Sequence, residues 1–182
     1  MRIISGEFGG RRLKVPQSSL VRPTTDKVKG SIFNYLSNKI SFEMINVCDI
    51  YAGSGSLGFE ALSRGAGLVD FIEKNFKVSM VIKENIDTLK VNSRCRIIRS
   101  EAVKFSKTTP QKKYDLILAD PPFFKDDIHE VVRNLLNEEF LNEDGILLVE
   151  RSIQTEKKDV QEFGHEPFKK IGDSLIYEFT PE

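Results

Sequence analysis

The sequence predicts an α/β protein built on a doubly wound, mostly parallel sheet. Three observations predict it. From residue 44 onward short apolar runs alternate with amphipathic stretches, the first run opens through a glycine-rich turn into a helix, and the early runs end at or next to an acidic residue. Repeating strand-helix units of this kind need right-handed crossovers and a sheet covered on both faces, which is why the strands read as apolar runs. The 182 residues suffice for one well-buried domain with a modest extension.

Arg2 to Phe8 and Arg11 to Val15 are strand-like and flank Gly9-Gly10, a pair that readily takes the positive φ angles of a two-residue hairpin. Pro16 to Ser19 reads as linker, and Arg22-Pro23-Thr24-Thr25 leads into a helix. Thr25 can cap that helix, and Val28, Ile32, Phe33 and Leu36 give it an apolar stripe. Met44 to Ile50 is the first core strand, Ser56 to Arg64 a short helix, and Leu68 to Glu73 the second strand. Asn75 caps a longer helix through Leu89, striped by Val78, Val81, Ile82, Ile86 and Leu89. Cys95 to Ser100 and Tyr114 to Ala119 are the third and fourth strands. Ile128 to Leu136 is an amphipathic helix, and Asp144-Gly145 turns the chain into a fifth strand, Ile146 to Glu150. Phe168 to Ile171 and Leu175 to Phe179 straddle Gly172-Asp173 as a closing hairpin. The expected order of the first five strands is 3-2-1-4-5, with the first and fourth adjacent at the topological switch point. Residues 1–40 are read as an N-terminal extension and 41–182 as the main domain.

Apolar residues make up 40% of the chain and charged residues 30%, ordinary values for a soluble globular protein. No stretch approaches the roughly 18 unbroken apolar residues of a membrane span, and the first residues lack a signal-peptide pattern, so a cytoplasmic location is expected. Cys48 and Cys95 are too few and too scattered for a disulfide framework or a zinc site. His129 and His165 have no partner at ligand spacing, so surface positions and no metal are expected. The 27 basic and 27 acidic side chains cancel, yet residues 1–30 hold seven basic against two acidic ones, a net +5 that leaves −5 elsewhere. A basic end on a neutral chain suits a polyanionic partner.

Asp120-Pro121-Pro122-Phe123 follows directly on the fourth strand. Neither proline has an N–H, so the loop offers a carboxylate and carbonyls, all acceptors, beside an aromatic ring. Such a loop suits a planar ligand bearing an amino group, with the ring stacked on Phe123. Gly53, Gly55 and Gly58 satisfy G-x-G-x-x-G, and Glu73 stands twenty residues after Gly53, a spacing that fits a nicotinamide dinucleotide equally well. Asp49 favours a different ligand, because a negative charge beside the glycines repels a pyrophosphate and attracts a cation. Glu101 ends the third strand, where it is placed to accept from an adenine amino group. Asp49, Glu73, Glu101 and Asp120 would then share one rim, lining a cleft for a ligand with an adenine, a ribose and a positive charge.

With these motifs the chain resembles the class I S-adenosylmethionine methyltransferases, and more narrowly the RsmD family of bacterial 16S ribosomal RNA guanine-N2 methyltransferases. The resemblance is carried by Met1-Arg2-Ile3-Ile4-Ser5-Gly6, Gly10-Arg11-Arg12-Leu13, Arg22-Pro23-Thr24-Thr25-Asp26-Lys27-Val28, Ala52-Gly53-Ser54-Gly55-Ser56-Leu57-Gly58, Glu60-Ala61-Leu62-Ser63-Arg64-Gly65-Ala66, Glu73-Lys74, Asp120-Pro121-Pro122-Phe123 and Gly172-Asp173-Ser174. It implies a seven-stranded Rossmann-like methyltransferase sheet with an N-terminal β-hairpin and helix extension. It further implies S-adenosylmethionine as cofactor, held by Asp49, Ala52, Gly53, Ser54, Gly55, Glu73, Lys74, Glu101, Ala102 and Asp120, with Thr24 and Thr25 closing over the site. Asp120, Pro121, Pro122 and Phe123 would hold the guanine, at the family site guanine 966. Arg2, Arg11, Arg12, Lys14 and Arg22 would touch small-subunit ribosomal RNA, bare or in an assembling 30S particle, and a monomer is expected. Phe123 stands where family members often carry tyrosine, and Ser100-Glu101 where they often carry Gly-Asp. The rivals are a DNA adenine-N6 or cytosine-N4 methyltransferase, for whose usual target-recognition insert the chain has no room, an NAD-dependent oxidoreductase, and a non-catalytic RNA-binding domain.

Overall fold

The computed structural model describes residues 1–16, 25–122 and 125–181. Arg22, Thr24 and Phe123 lie outside the described residues. Five strands run parallel, β1 (Asn46–Ile50), β2 (Leu68–Ile72), β3 (Cys95–Ile98), β4 (Tyr114–Ala119) and β5 (Leu141–Ser152). β6 (Lys169–Ile171) and β7 (Ser174–Phe179) form the closing hairpin, and β7 pairs antiparallel with β5. Among the described residues these seven strands make one sheet in the order β3-β2-β1-β4-β5-β7-β6, the doubly wound arrangement expected from the sequence.

Side chains alternate between the two faces of the sheet, and both faces are covered. Val47, Val69, Phe71, Leu116 and Leu118 pack with α1 (Asp26–Ser37), α2 (Ser56–Ser63) and α3 (Phe76–Leu89). Cys48, Ile50, Ile72, Ile117 and Ala119 pack with α4 (Ala102–Ser106) and α5 (Asp127–Asn137), and Phe163 of α6 (Glu156–Phe163) joins them. Thr25 and Asn75 cap α1 and α3 as expected, since Thr25 Oγ1 accepts from the Val28 N–H at 3.2 Å and Asn75 Oδ1 from Lys77 at 2.9 Å. Among the described residues no helix is long and apolar enough to cross a membrane.

The N-terminal hairpin is shorter than expected. Arg2 and Arg12 form an isolated bridge, the Ile3 N–H donates to Arg11 and the Leu13 N–H to Met1, but residues 4–9 leave the ladder. The amides of Ile4, Ser5, Glu7 and Phe8 are taken by α2 instead. Ile4 and Ser5 donate to the Glu60 carboxylate at 2.7 and 3.2 Å, and Phe8 donates to Ser63 Oγ at 2.9 Å. Gly6, at φ +84°, lies so close to the Ser63 carbonyl that a Cβ there would overlap it. Lys29 completes the attachment, its buried ammonium donating to the Arg2 carbonyl at 2.6 Å and to Ser56 Oγ at 2.9 Å, with Glu60 at 3.8 Å.

His129 corrects a second expectation. It is 6% exposed, and its Nε2 lies 2.7 Å from Asp159 Oδ1. Asp159 is fully buried and also accepts from Arg151 Nε at 2.9 Å and from Thr155 Oγ1 at 2.6 Å. A carboxylate and a guanidinium removed from water need such partners, so α5 supplies an imidazole where a surface residue was expected.

Candidate active site

The sheet register fixes the site. Ile50, Ile72, Ile98 and Ala119 are level with one another across β1, β2, β3 and β4. One residue further along, Tyr51, Glu73, Arg99 and Asp120 therefore stand together on the carboxyl rim. Beyond β1 the chain turns through left-handed φ angles at Tyr51 (62°), Gly53 (55°) and Gly55 (78°). The turn is pinned by the Ala52 N–H donating to Ile72 at 3.1 Å and the Gly55 N–H donating to Ala52 at 2.7 Å. Gly55 and Gly58 are packing glycines, because a Cβ on either would press into the Phe71 ring. Gly53 differs, since a Cβ there would approach only the Tyr51 carbonyl, at 3.8 Å. The turn thus leaves room for a ligand to lie against the backbone at Gly53.

Glu73 holds that turn. Its Oε2 accepts from the Gly53 N–H at 3.1 Å and its Oε1 from the Asn75 N–H at 2.8 Å. Asp49, read as a negative charge beside the glycines, sits inside the fold. It is 2% exposed, and its Oδ2 accepts from the Gly58 N–H at 2.8 Å, tying the end of β1 to α2. Burial pushes its pKa well up, the Asp120 and Glu73 charges push it further, and the Gly58 hydrogen bond opposes them. Glu73 and Asp120 are near enough for their charges to act on Asp49, so three acids stand at this end of the sheet.

Ser54 is turned inward, its hydroxyl donating to Met1 Sδ at 3.1 Å and its carbonyl accepting from Asn85 at 3.3 Å. Asp120 is half-buried, Pro121 buried and Pro122 exposed. The Lys125 N–H donates to the Pro122 carbonyl at 2.9 Å, bringing the chain back toward α5. Glu101 is exposed at the start of α4, where its carbonyl accepts from the Phe105 N–H, and Ala102 beside it is buried. Lys74 is exposed next to Glu73. Thr25 is spent on its cap. Of the basic residues, Arg2 pairs with Asp26 at 2.8 Å and Lys14 with Glu84 at 2.9 Å, whereas Arg11 lies over the Phe8 ring and Arg12 is exposed.

Three residues that the sequence did not single out join the two loops. Tyr51 donates its hydroxyl to Asp127 Oδ1 at 3.0 Å, and Lys125 Nζ lies 3.1 Å from Asp127 Oδ2. Burial and the Asp127 carboxylate both raise the tyrosine pKa, so the hydroxyl keeps its proton and stays a donor. The same carboxylate raises the Lys125 pKa, and Lys74 and Glu101 are near enough to affect it. Arg151 reaches the Lys125 carbonyl at 3.4 Å from below.

Residues 1–180 match the family model described as Conserved hypothetical protein 95. The Ribosomal RNA small subunit methyltransferase D of Escherichia coli K12 is 36% identical over 156 residues, covering 85% of this chain and 76% of its own length. The chain belongs to the RsmD family of class I S-adenosylmethionine methyltransferases. A second RsmD-family relative, the Ribosomal RNA small subunit methyltransferase D of Haemophilus influenzae, is 38% identical over 152 residues, covering 82% of this chain and 78% of its own length. Among solved structures, a candidate methyltransferase of Escherichia coli superposes with a TM-score of 0.81 at 28% identity, covering 100% of this chain and 99% of that one. The cofactor of this RsmD-family fold fits the residues present. Gly53 offers an open backbone, Glu73 a fixed acceptor for hydroxyl groups, and Glu101 with Ala102 an acceptor beside a small apolar wall.

Proposed function

We propose that the protein transfers a methyl group from S-adenosylmethionine to the exocyclic N2 amino group of a guanine in 16S ribosomal RNA, at the family site guanine 966. The observation that carries this reading is the position of Asp120, level with Glu73 on the rim and at the head of a proline loop beside the Gly53 turn. The names of the relatives support ribosomal RNA as the substrate class.

When bound, S-adenosylmethionine supplies an electrophilic methyl on a sulfonium. In this reading Gly53 and Gly55 lie against its methionine part, Glu73 takes the ribose hydroxyls, and Glu101 with Ala102 takes the adenine. The guanine amino nitrogen is a poor nucleophile because its lone pair is delocalised into the ring. Asp120 and the Pro121 carbonyl accept its two hydrogens, which localises the lone pair and aims it; orientation of this sort contributes several kcal/mol, on the order of the gain in well-aligned intramolecular reactions. Asp120 also offsets positive charge growing on that nitrogen and receives the departing proton or passes it to water. A base inside a helix cannot reach such a pocket, so the target is unstacked, and Phe123 replaces the lost stacking.

Residues 1–40 form the RNA-binding extension in this reading, with Arg2, Arg11, Arg12, Lys14 and Arg22 toward phosphates. The protein then acts as a monomer in the cytoplasm on ribosomal RNA or an assembling 30S particle. Asp120→Ala tests the proposal. Methyl transfer to small subunits should fall by roughly 10²-fold or more, while calorimetric affinity for S-adenosylhomocysteine stays within about threefold. Equal losses would reduce Asp120 to a support for its loop, and nucleoside analysis finding methyladenine or methylcytosine would overturn the guanine assignment.

A further inference from the structure

We propose that the ends of β2 and β3, with the first turn of α3, form a second RNA contact. It would hold single-stranded RNA flanking the target guanine by stacking a base on Phe76 and pairing phosphates with Arg99, Lys104 and Lys77. The inference rests on the ribosomal RNA reading above and adds a binding surface to it.

Phe76 opens α3 and is 58% exposed, and Met80, one turn on, is 43% exposed, while Ile82, Ile86 and Leu89 of the same helix are buried. The Phe76 ring is not bare. The Arg99 guanidinium lies 5.6 Å from its centroid, so a flat apolar face and a cation are presented together. Arg99 and Lys104 also edge a cavity of about 530 Å³ whose lining includes Lys74 and Glu101, the residues read above as holding the cofactor.

Like Arg11 and Arg12, and unlike two other cations of the N-terminal loop, the cations here have no carboxylate partner among the described residues. Arg2 and Lys14 are held by Asp26 and Glu84, whereas Lys74, Lys77, Arg99 and Lys104 form no ion pair among the described residues. Charge without an internal partner, beside an exposed ring, suits a ligand carrying both phosphates and unstacked bases. Single-stranded RNA has both, while a duplex keeps its base faces closed. The surface also adjoins the rim that carries Glu73 and Asp120. Arg99 is level with Glu73 in the sheet register, and Lys74 adjoins Lys125, whose loop begins at Asp120.

The test uses the full chain, a labelled single-stranded oligoribonucleotide of the 16S sequence around the target, and a salt series. Phe76→Ala should weaken binding roughly tenfold at fixed salt and leave the salt slope alone. Arg99→Gln with Lys104→Gln should lower the slope of log affinity against log salt by about 1.4, the value for two lost phosphate contacts on a single strand. Affinity for S-adenosylhomocysteine should stay within about twofold in both. Unchanged RNA affinity and slope in both variants, with wild-type methylation of RNA intact, would remove this surface and leave the proposed function standing. Cofactor affinity falling in step with RNA affinity would assign the surface to the cofactor instead. A wild-type protein that neither binds nor methylates RNA would overturn both.

Discussion

Asp49 and Tyr51 are two residues apart and act in opposite ways. Asp49 is buried, and its folded pKa lies above the ordinary aspartate value of 3.8, so the folded state binds a proton more readily than the unfolded state. Its contribution to stability is complete below that ordinary value and is lost as pH rises through the folded pKa. Asp49→Asn keeps an acceptor for the Gly58 N–H without the titration. Urea midpoints should therefore show wild type losing ground to Asp49→Asn as pH is raised from about 4 toward neutrality; a constant difference would contradict the burial argument. Tyr51 holds a non-glycine residue at a left-handed φ while its hydroxyl reaches Asp127. Tyr51→Phe should cost about 1 kcal/mol of stability and lower the methylation rate constant more than cofactor affinity. If rate and stability both stay at wild-type levels, the hydroxyl does not position the loop. Neither behaviour was legible in the sequence. Asp49 reads as a charge until its burial is known, and Tyr51 and Asp127 are 76 residues apart in the chain.

At the scale of elements, legibility followed the inward side chain. β1, β2, β4, α3 and α5 were readable because their inward positions are apolar at regular spacing. α6 was not, because its one fully buried residue is Asp159, whose partners lie on α5 and β5. α4 has five residues, too few to show a period. The N-terminal loop was misread for a related reason, since the amides of a supposed strand are claimed by Glu60 and Ser63. Glycine substitutions separate the two readings. Gly6→Ala meets both a left-handed φ and the Ser63 carbonyl and should cost about 3 kcal/mol. Gly10→Ala has a similar φ with nothing within 4 Å of the added Cβ and should cost about 1 kcal/mol. Thermal or urea unfolding giving equal losses would mean that the loop is not packed on α2.

In the whole molecule, the order of strands collects at one rim what the chain keeps far apart. Glu73, Asp120 and the Gly53 turn meet because β2, β1 and β4 are neighbours, an adjacency the alternation of strands and helices already specified. The basic N-terminal loop meets the same body from the other side of the turn, through Lys29. That ammonium joins the Arg2 carbonyl, the hydroxyl at the start of α2 and the Glu60 carboxylate in one dry place. Burial lowers its pKa, a sign of how little the surroundings tolerate a lone cation there. Prising the loop loose would take the Arg2 carbonyl from that cation and the Ile4 and Ser5 amides from the Glu60 carboxylate, so the segment behaves as a riveted plate and not as a hinged flap.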